Sequence, residues 1–373
     1  MDGITKHRAV RPEKPGQLTA KDRSVVEARA RRRRLYRTGD ADLDSRIRDL
    51  ASTLALDRRR EVVEEMLAAV VRLARGDTPH GDLKLINAAL KEFAYAAKVF
   101  APYRGIRKVT VFGSSRAIES DADYGYAQEF ATRIVQRGWM VITGAGPGIM
   151  QAAQDGAGAR RSFGLNIRLP FESEANPIIE ADPKLINFNY FFTRKVTFLK
   201  ESDAFVLLPG GFGTLDETFE LLTLVQTGKS DLHPVVLLEM PGGTYWKEWR
   251  EFVEDNLARR GLISLDDMNL LYYTHDIEDA VREVTSFYRN YQSQRYVGNR
   301  LVLRLLRAPG AEDLAQLRLR FADLLESGTF EVIDILPVEV ADHDALELAR
   351  VAFRFNRRSY GRLRAFVDAL NEL

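Results

Sequence analysis

The chain has 373 residues, 45% of them hydrophobic and 29% charged, a composition that can bury real cores in two or three domains. Its 54 basic and 53 acidic side chains leave a formal net charge of +1, which excludes a wholly basic nucleic-acid coat and an acidic solvating chain. Cysteine is absent, and His7, His80, His233, His275 and His343 stand in no ligand-like spacing, so disulfides and thiolate chemistry are excluded and no metal is expected.

Residues 1–37 hold twelve Lys/Arg against four acids, a surplus of eight that the rest of the chain cancels. Pro12, Pro15, Gly16 and the scarcity of large apolar residues predict a basic, partly disordered arm over 1–39. Arg31–Arg34 fit a solvated arm, an arm docked on an acidic protein surface, or an electrostatic footprint for nucleic acid. Tyr36 is the one aromatic residue there, which leaves bases little to stack on. The polar start, with no apolar run near 18 residues, predicts a soluble cytoplasmic protein without a membrane partner.

Residues 40–104 read as a helical extension. Leu43, Ile47, Leu50 and Leu54 recur at helical spacing, as do Val62, Met66, Ala69 and Leu73, then Leu83, Ile86, Leu90 and Ala94. Asp57 and Asp82 fit N-caps or first-turn acids. The stripes are expected to pack on the next domain or across a dimer.

From 105 to 295 short apolar runs alternate with helical patterns. Val109–Phe112, Met140–Thr143, Gly164–Leu169, Ala204–Leu208 and Val235–Leu238 read as strands; helices are expected near 122–137, 147–160, 189–201, 214–228 and 245–260. Alternation of this kind predicts an α/β fold, a Rossmann-like doubly wound parallel sheet whose ligand crevice lies at the strand carboxyl ends. Residues 296–373 predict a small α+β module of ferredoxin- or ACT-like order, with strands at Leu301–Leu306, Phe330–Val338 and Ala349–Phe355 and helices at 311–326 and Tyr360–Leu370.

The chemistry concentrates in Pro209-Gly210-Gly211-Phe212-Gly213-Thr214, a glycine turn between a buried strand and a helix. Such a turn lets backbone N–H groups approach a phosphate closely. It is no Walker loop, and Gly144-Ala145-Gly146-Pro147-Gly148-Ile149 misses the dinucleotide fingerprint at Ile149, which weakens a dehydrogenase reading. Thr214-Leu215-Asp216-Glu217 also fits a capping box, so Glu217 is open to a purely structural role as well as a chemical one.

Together these segments resemble the LOG family, the nucleoside 5′-monophosphate phosphoribohydrolases often labelled lysine decarboxylases. Pro209 to Glu217 matches Pro-Gly-Gly-x-Gly-Thr-x-x-Glu in full, and Arg194-Lys195 stands where the family has its Arg-Lys pair. Gly113-Ser114-Ser115 and Gly144 to Met150 take the places of its two earlier turns, the second with Ala145 and Ile149 altered. The resemblance covers roughly half the chain, about 106–290. It implies hydrolysis of the N-glycosidic bond of an AMP-like nucleotide, without a cofactor, with Glu217 as catalytic carboxylate and Arg194 as its partner. Gly113, Ser114, Gly144, Gly146, Lys195, Gly210, Gly211, Gly213, Thr214 and Thr223 would bind substrate, and Glu174 would lie near the ribose. It further implies at least a homodimer. A pyridoxal-phosphate decarboxylase is disfavoured, since no Schiff-base lysine site stands out. Gly113-Ser114-Ser115-Arg116 also resembles DNA-processing and molybdopterin-carrier relatives, so a nucleotide-binding sensor or carrier is the alternative.

Overall fold

A computed structural model describes residues 37–54, 59–169 and 175–373. The arm through residue 36, the expected cap Asp57 and the expected ribose contact Glu174 lie outside the described residues. The chain divides into two compact units, with the division between Asn87 and Ala88.

In the first unit, α1 (Ala41–Thr53) is capped by Asp40, whose carboxylate accepts from the N–H groups of Asp42 and Leu43. It is followed by α2 (Arg60–Arg75), and Arg75 returns to Asp40 at 3.2 Å. Leu50, Leu54, Val62 and Met66 of the expected stripes stay exposed. The division falls within α3 (His80–Phe100), whose residues from Ala88 onward belong to the second unit. The expected stripe of α3 is rotated: Leu90 is exposed, while Ala89, Glu92, Ala96 and Phe100 are buried.

The second unit holds two sheets. The larger joins β1 (Lys108–Phe112), β2 (Met140–Thr143), β3 (Ser162–Ile167), β4 (Leu185–Phe188), β5 (Ala204–Leu207), β6 (Val235–Leu238) and β7 (Tyr272–Thr274) in the order β4-β3-β2-β1-β5-β6-β7, all parallel. β1, β2, β5 and β6 are buried along their whole length, the two-sided burial that a helix-covered parallel sheet imposes and the reason these strands are continuous apolar runs. Around them run α4 (Ala122–Gln136), α5 (Ile149–Ala157), α6 (Phe191–Glu201), α7 (Phe212–Gln226), α8 (Tyr245–Val253) and α9 (Ile277–Ser286). The chain winds outward from β1 to β4, then crosses back through α6 to β5 beside β1. The switch point therefore lies between β1 and β5, where Gly113 and Gly210 stand.

The smaller sheet is antiparallel, in the order β10-β11-β9-β8, from β8 (Tyr291–Val297), β9 (Arg300–Leu305), β10 (Leu325–Ile333) and β11 (Ala349–Phe355). With it go α10 (Ala311–Phe321), α11 (Pro337–Asp342) and α12 (Tyr360–Asn371). The strand expected over Phe330–Val338 instead runs Leu325–Ile333, because Pro337 occupies the first turn of α11. Phe321, Phe330, Phe353 and Phe366 form the module's aromatic core. Asn371 fastens it to the larger sheet's surroundings: its carbonyl accepts from the N–H groups of Asn290 (3.0 Å) and Tyr291 (2.8 Å), and its amide donates to the Phe287 carbonyl (2.6 Å).

Candidate active site

Three strand-end turns are laced together at the switch point. The Ser114 N–H, after β1, donates to the Pro209 carbonyl after β5 at 3.0 Å, and the Ile149 N–H, at the start of α5, donates to the Ser114 carbonyl at 3.0 Å. Gly148 makes this possible: its φ is +71°, and a Cβ there would lie 2.3 Å from the Ser114 carbonyl oxygen. Gly210 is equally confined, since its Cβ would fall 2.2 Å from Oγ1 of Thr214 and 2.9 Å from the Ser114 nitrogen. Gly113 packs on Ile149 and Gly146 on Met150 in the same manner.

The helix that follows begins earlier than its sequence suggests. Gly211 is the N-cap of α7 and no side chain caps it. Thr214 is thus already inside the first turn, buried against Gly210, and Glu217 lies one turn further on. The capping-box alternative for Glu217 falls with that. Gly211 and Gly213 are exposed with open space where a Cβ would be, and Phe212 between them is 94% exposed. The backbone from Gly211 to Gly213 is open to solvent, and the helix dipole there favours an anion.

Arg194 and Lys195 reach the site from α6. Nη2 of Arg194 lies directly over Gly144, 2.5 Å from where a Cβ would be, and its buried Nε has no hydrogen-bond partner among the described residues. Its guanidinium also stands 5.3 Å from the centre of the Phe198 ring. Burial lowers the Arg194 pKa and Glu217 opposes that shift. Lys195 is engaged by three carboxylates of α7: Asp216 at 2.8 Å, Glu220 at 2.8 Å and Glu217 at 3.6 Å. Burial pulls the Lys195 ammonium down, but Asp216 and Glu220 outweigh it and hold its pKa above the ordinary lysine value. The Glu217 side chain is 14% exposed. Burial pushes its carboxyl up to about 7, while Lys195 and then Arg194 pull it back. A carboxyl tuned to neutrality beside a buried arginine can exchange protons or face a developing positive charge.

Of the expected binding residues, the structure brings Gly113, Ser114, Gly144, Gly146, Gly210, Gly211, Gly213 and Thr214 to this one end of the sheet. Thr223 is elsewhere. It lies about 14 Å along α7 from Thr214, and its hydroxyl donates to the Phe219 carbonyl. A cleft of about 560 Å³ adjoins the turns, sharing Ser114 and Gly210 and walled by Arg116, Asp123, Met240 and Tyr245; Arg194 and Glu217 do not line it. Tyr245 donates its hydroxyl to the Gly210 carbonyl at 2.6 Å. Sequence reasoning missed it, although the Pro241–Thr244 turn after β6 was the signal that another strand end feeds the crevice.

Comparison with known proteins gives the chain's family. A family model described as "Possible lysine decarboxylase" matches residues 149–284. The cytokinin riboside 5′-monophosphate phosphoribohydrolase of Mycobacterium tuberculosis is 30% identical over 160 residues, covering 42% of this chain and 82% of that protein. A probable enzyme of the same name from rice is 28% identical, covering 53% and 88%, and one from Arabidopsis thaliana is 27% identical, covering 48% and 84%. Among solved structures, a molybdenum-cofactor carrier protein from Chlamydomonas reinhardtii aligns with a TM-score of 0.34 at 20% identity, over 48% of this chain and 96% of that one. The sequence match extends over most of the M. tuberculosis relative, and the chain belongs to the LOG family.

Proposed function

We propose that the protein hydrolyses the N-glycosidic bond of a nucleoside 5′-monophosphate of the AMP kind, giving free base and ribose 5-phosphate. The observation that carries this reading is the placement of Arg194 and a near-neutral Glu217 beside an uncapped helix start. The phosphate sits on the N–H groups of Gly211, Gly213 and Thr214. Cleavage of the bond from C1′ to the base nitrogen leaves an oxocarbenium-like sugar, which the ionised Glu217 stabilises while it takes a proton from water. The water oxygen bonds to C1′, the bonding electron pair leaves on the base nitrogen, and the base takes up one proton as Glu217 gives up the one it took from water. Arg194, with free Nε and a fixed fork of donors, holds the phosphate or the departing base.

Lysine decarboxylation does not fit these residues. A Schiff-base lysine must give up its proton, whereas Lys195 is held charged by Asp216 and Glu220. Lys195 serves here to hold Glu217 in place. A second copy of the chain is the partner we assign to the exposed Phe191, Phe192 and Val196 of α6, and the cytoplasm is the compartment. Assay of free base from a panel of nucleotides tests the reading. A nucleotide that binds and is returned intact would make the protein a sensor or carrier.

A further inference from the structure

Glu92 is a buried carboxylate that the reaction above does not use. It lies in the middle of the buried stripe of α3, 7% exposed, flanked by Ala89 and Ala96. A carboxyl group in such a place needs hydrogen-bond partners, and among the described residues they lie at the start of α6. One carboxylate oxygen accepts from the Asn189 N–H at 2.9 Å and from the Asn189 amide at 2.8 Å, and the other accepts from the Thr193 hydroxyl. Thr193 immediately precedes Arg194. The residue at the N-cap position of α6, Tyr190, makes no side-chain cap of its own. A carboxylate supplied from α3 thus ties Asn189, the residue before the N-cap, to the first-turn side chain of Thr193, and the dipole at the start of α6 adds to its hold.

Resting on the hydrolytic reading, we infer that Glu92 is a positioning residue for the reaction: it clamps the first turn of α6 and thereby sets Arg194 against Gly144 and Lys195 against Glu217. The distances downstream are tight. Arg194 Nη2 lies within 2.5 Å of where a Gly144 Cβ would be, and Lys195 bridges to three carboxylates of a different helix. A shift of α6 would displace both cations relative to Glu217, and misplacement near 1 Å can cost about 100-fold in rate.

The test compares Glu92→Ala, Glu92→Gln and Thr193→Val in the full chain, measuring the titration midpoint of the Glu217 carboxyl by carbon NMR alongside kcat and KM. Burial pushes the Glu217 carboxyl up, and Lys195 and then Arg194 on α6 pull it back. Moving α6 changes both the burial and the distance to the two cations, so the midpoint shifts. In Glu92→Ala the midpoint should depart from the wild-type value and kcat should fall about 10- to 100-fold with little change in KM. Glu92→Gln, which keeps an acceptor for Asn189, should recover most of both. Thr193→Val provides the same reading in milder form if the alanine variant does not fold. An unmoved Glu217 midpoint in the folded variants overturns the inference, even if they are less stable. Absence of base release from the wild type would instead strike the hydrolytic reading, and the NMR titration remains decisive without it.

Discussion

Lys195 and Glu217 face each other across the gap between α6 and α7 with 3.6 Å between ammonium and carboxylate. The distance is longer than the 2.8 Å from Lys195 to either Asp216 or Glu220. One cation divided among three carboxylates neutralises none of them fully. Glu217, the least exposed, carries the cost of burial, and its carboxyl rises to about 7.

That shift makes stability depend on pH in a fixed direction. In the unfolded chain Glu217 titrates at its ordinary value of 4.5, and in the fold at about 7. The folded form therefore keeps a proton that the unfolded form releases, and stability falls as pH rises between those values. Glu217→Gln should match the wild type in stability near pH 4 and exceed it by on the order of 1–3 kcal/mol at pH 8. Urea unfolding across that range measures the difference.

Arg194 should not be replaceable by lysine. Its Nη2 rests on Gly144 while Nε is left free, an arrangement a single ammonium cannot reproduce. Arg194→Lys is expected to lower kcat/KM by about 100-fold or more, with an unfolding midpoint close to wild type, read by steady-state kinetics and thermal melts.

The glycines of the cradle should separate into two kinds. Gly210→Ala drives a methyl into Thr214 and the Ser114 backbone, so both melting temperature and activity should fall. Gly211→Ala meets nothing within 4 Å among the described residues. It should change the melting temperature little and raise KM, because on the proposed reading the methyl would stand where the phosphate approaches. Thr223→Ala should change neither quantity, given its distance along α7.

Asn371 predicts how firmly the C-terminal module is held. Asn371→Ala leaves the N–H groups of Asn290 and Tyr291 buried without their acceptor. The expected loss is about 2–4 kcal/mol of stability, measurable by urea titration.

The parts of this site that were legible in the sequence are backbone features. Glycine turns at the ends of apolar runs announce themselves by residue type, and Gly113, Gly144 and Gly210 all came together where the strand ends predict. What was hidden depends on tertiary partners. Glu92 reads as an ordinary polar position on a helix until its partners Asn189 and Thr193, about a hundred residues away, are folded against it. The start of α7 at Gly211 was obscured because Thr214 and Glu217 imitate a cap. The strand β7 is three residues long, and β4 is an edge strand with an exposed position, so neither shows the continuous apolar run of β1 or β5.

Bond cleavage at Glu217 can be read from its two products. Purified protein is incubated with AMP, GMP, CMP and UMP, and free base and ribose 5-phosphate are quantified by chromatography. We expect equal amounts of both products from at least one nucleotide, with turnover abolished in Glu217→Gln while that variant still binds it. Base release by Glu217→Gln at the wild-type rate, or nucleotide binding by the wild type with no base released, would contradict the account.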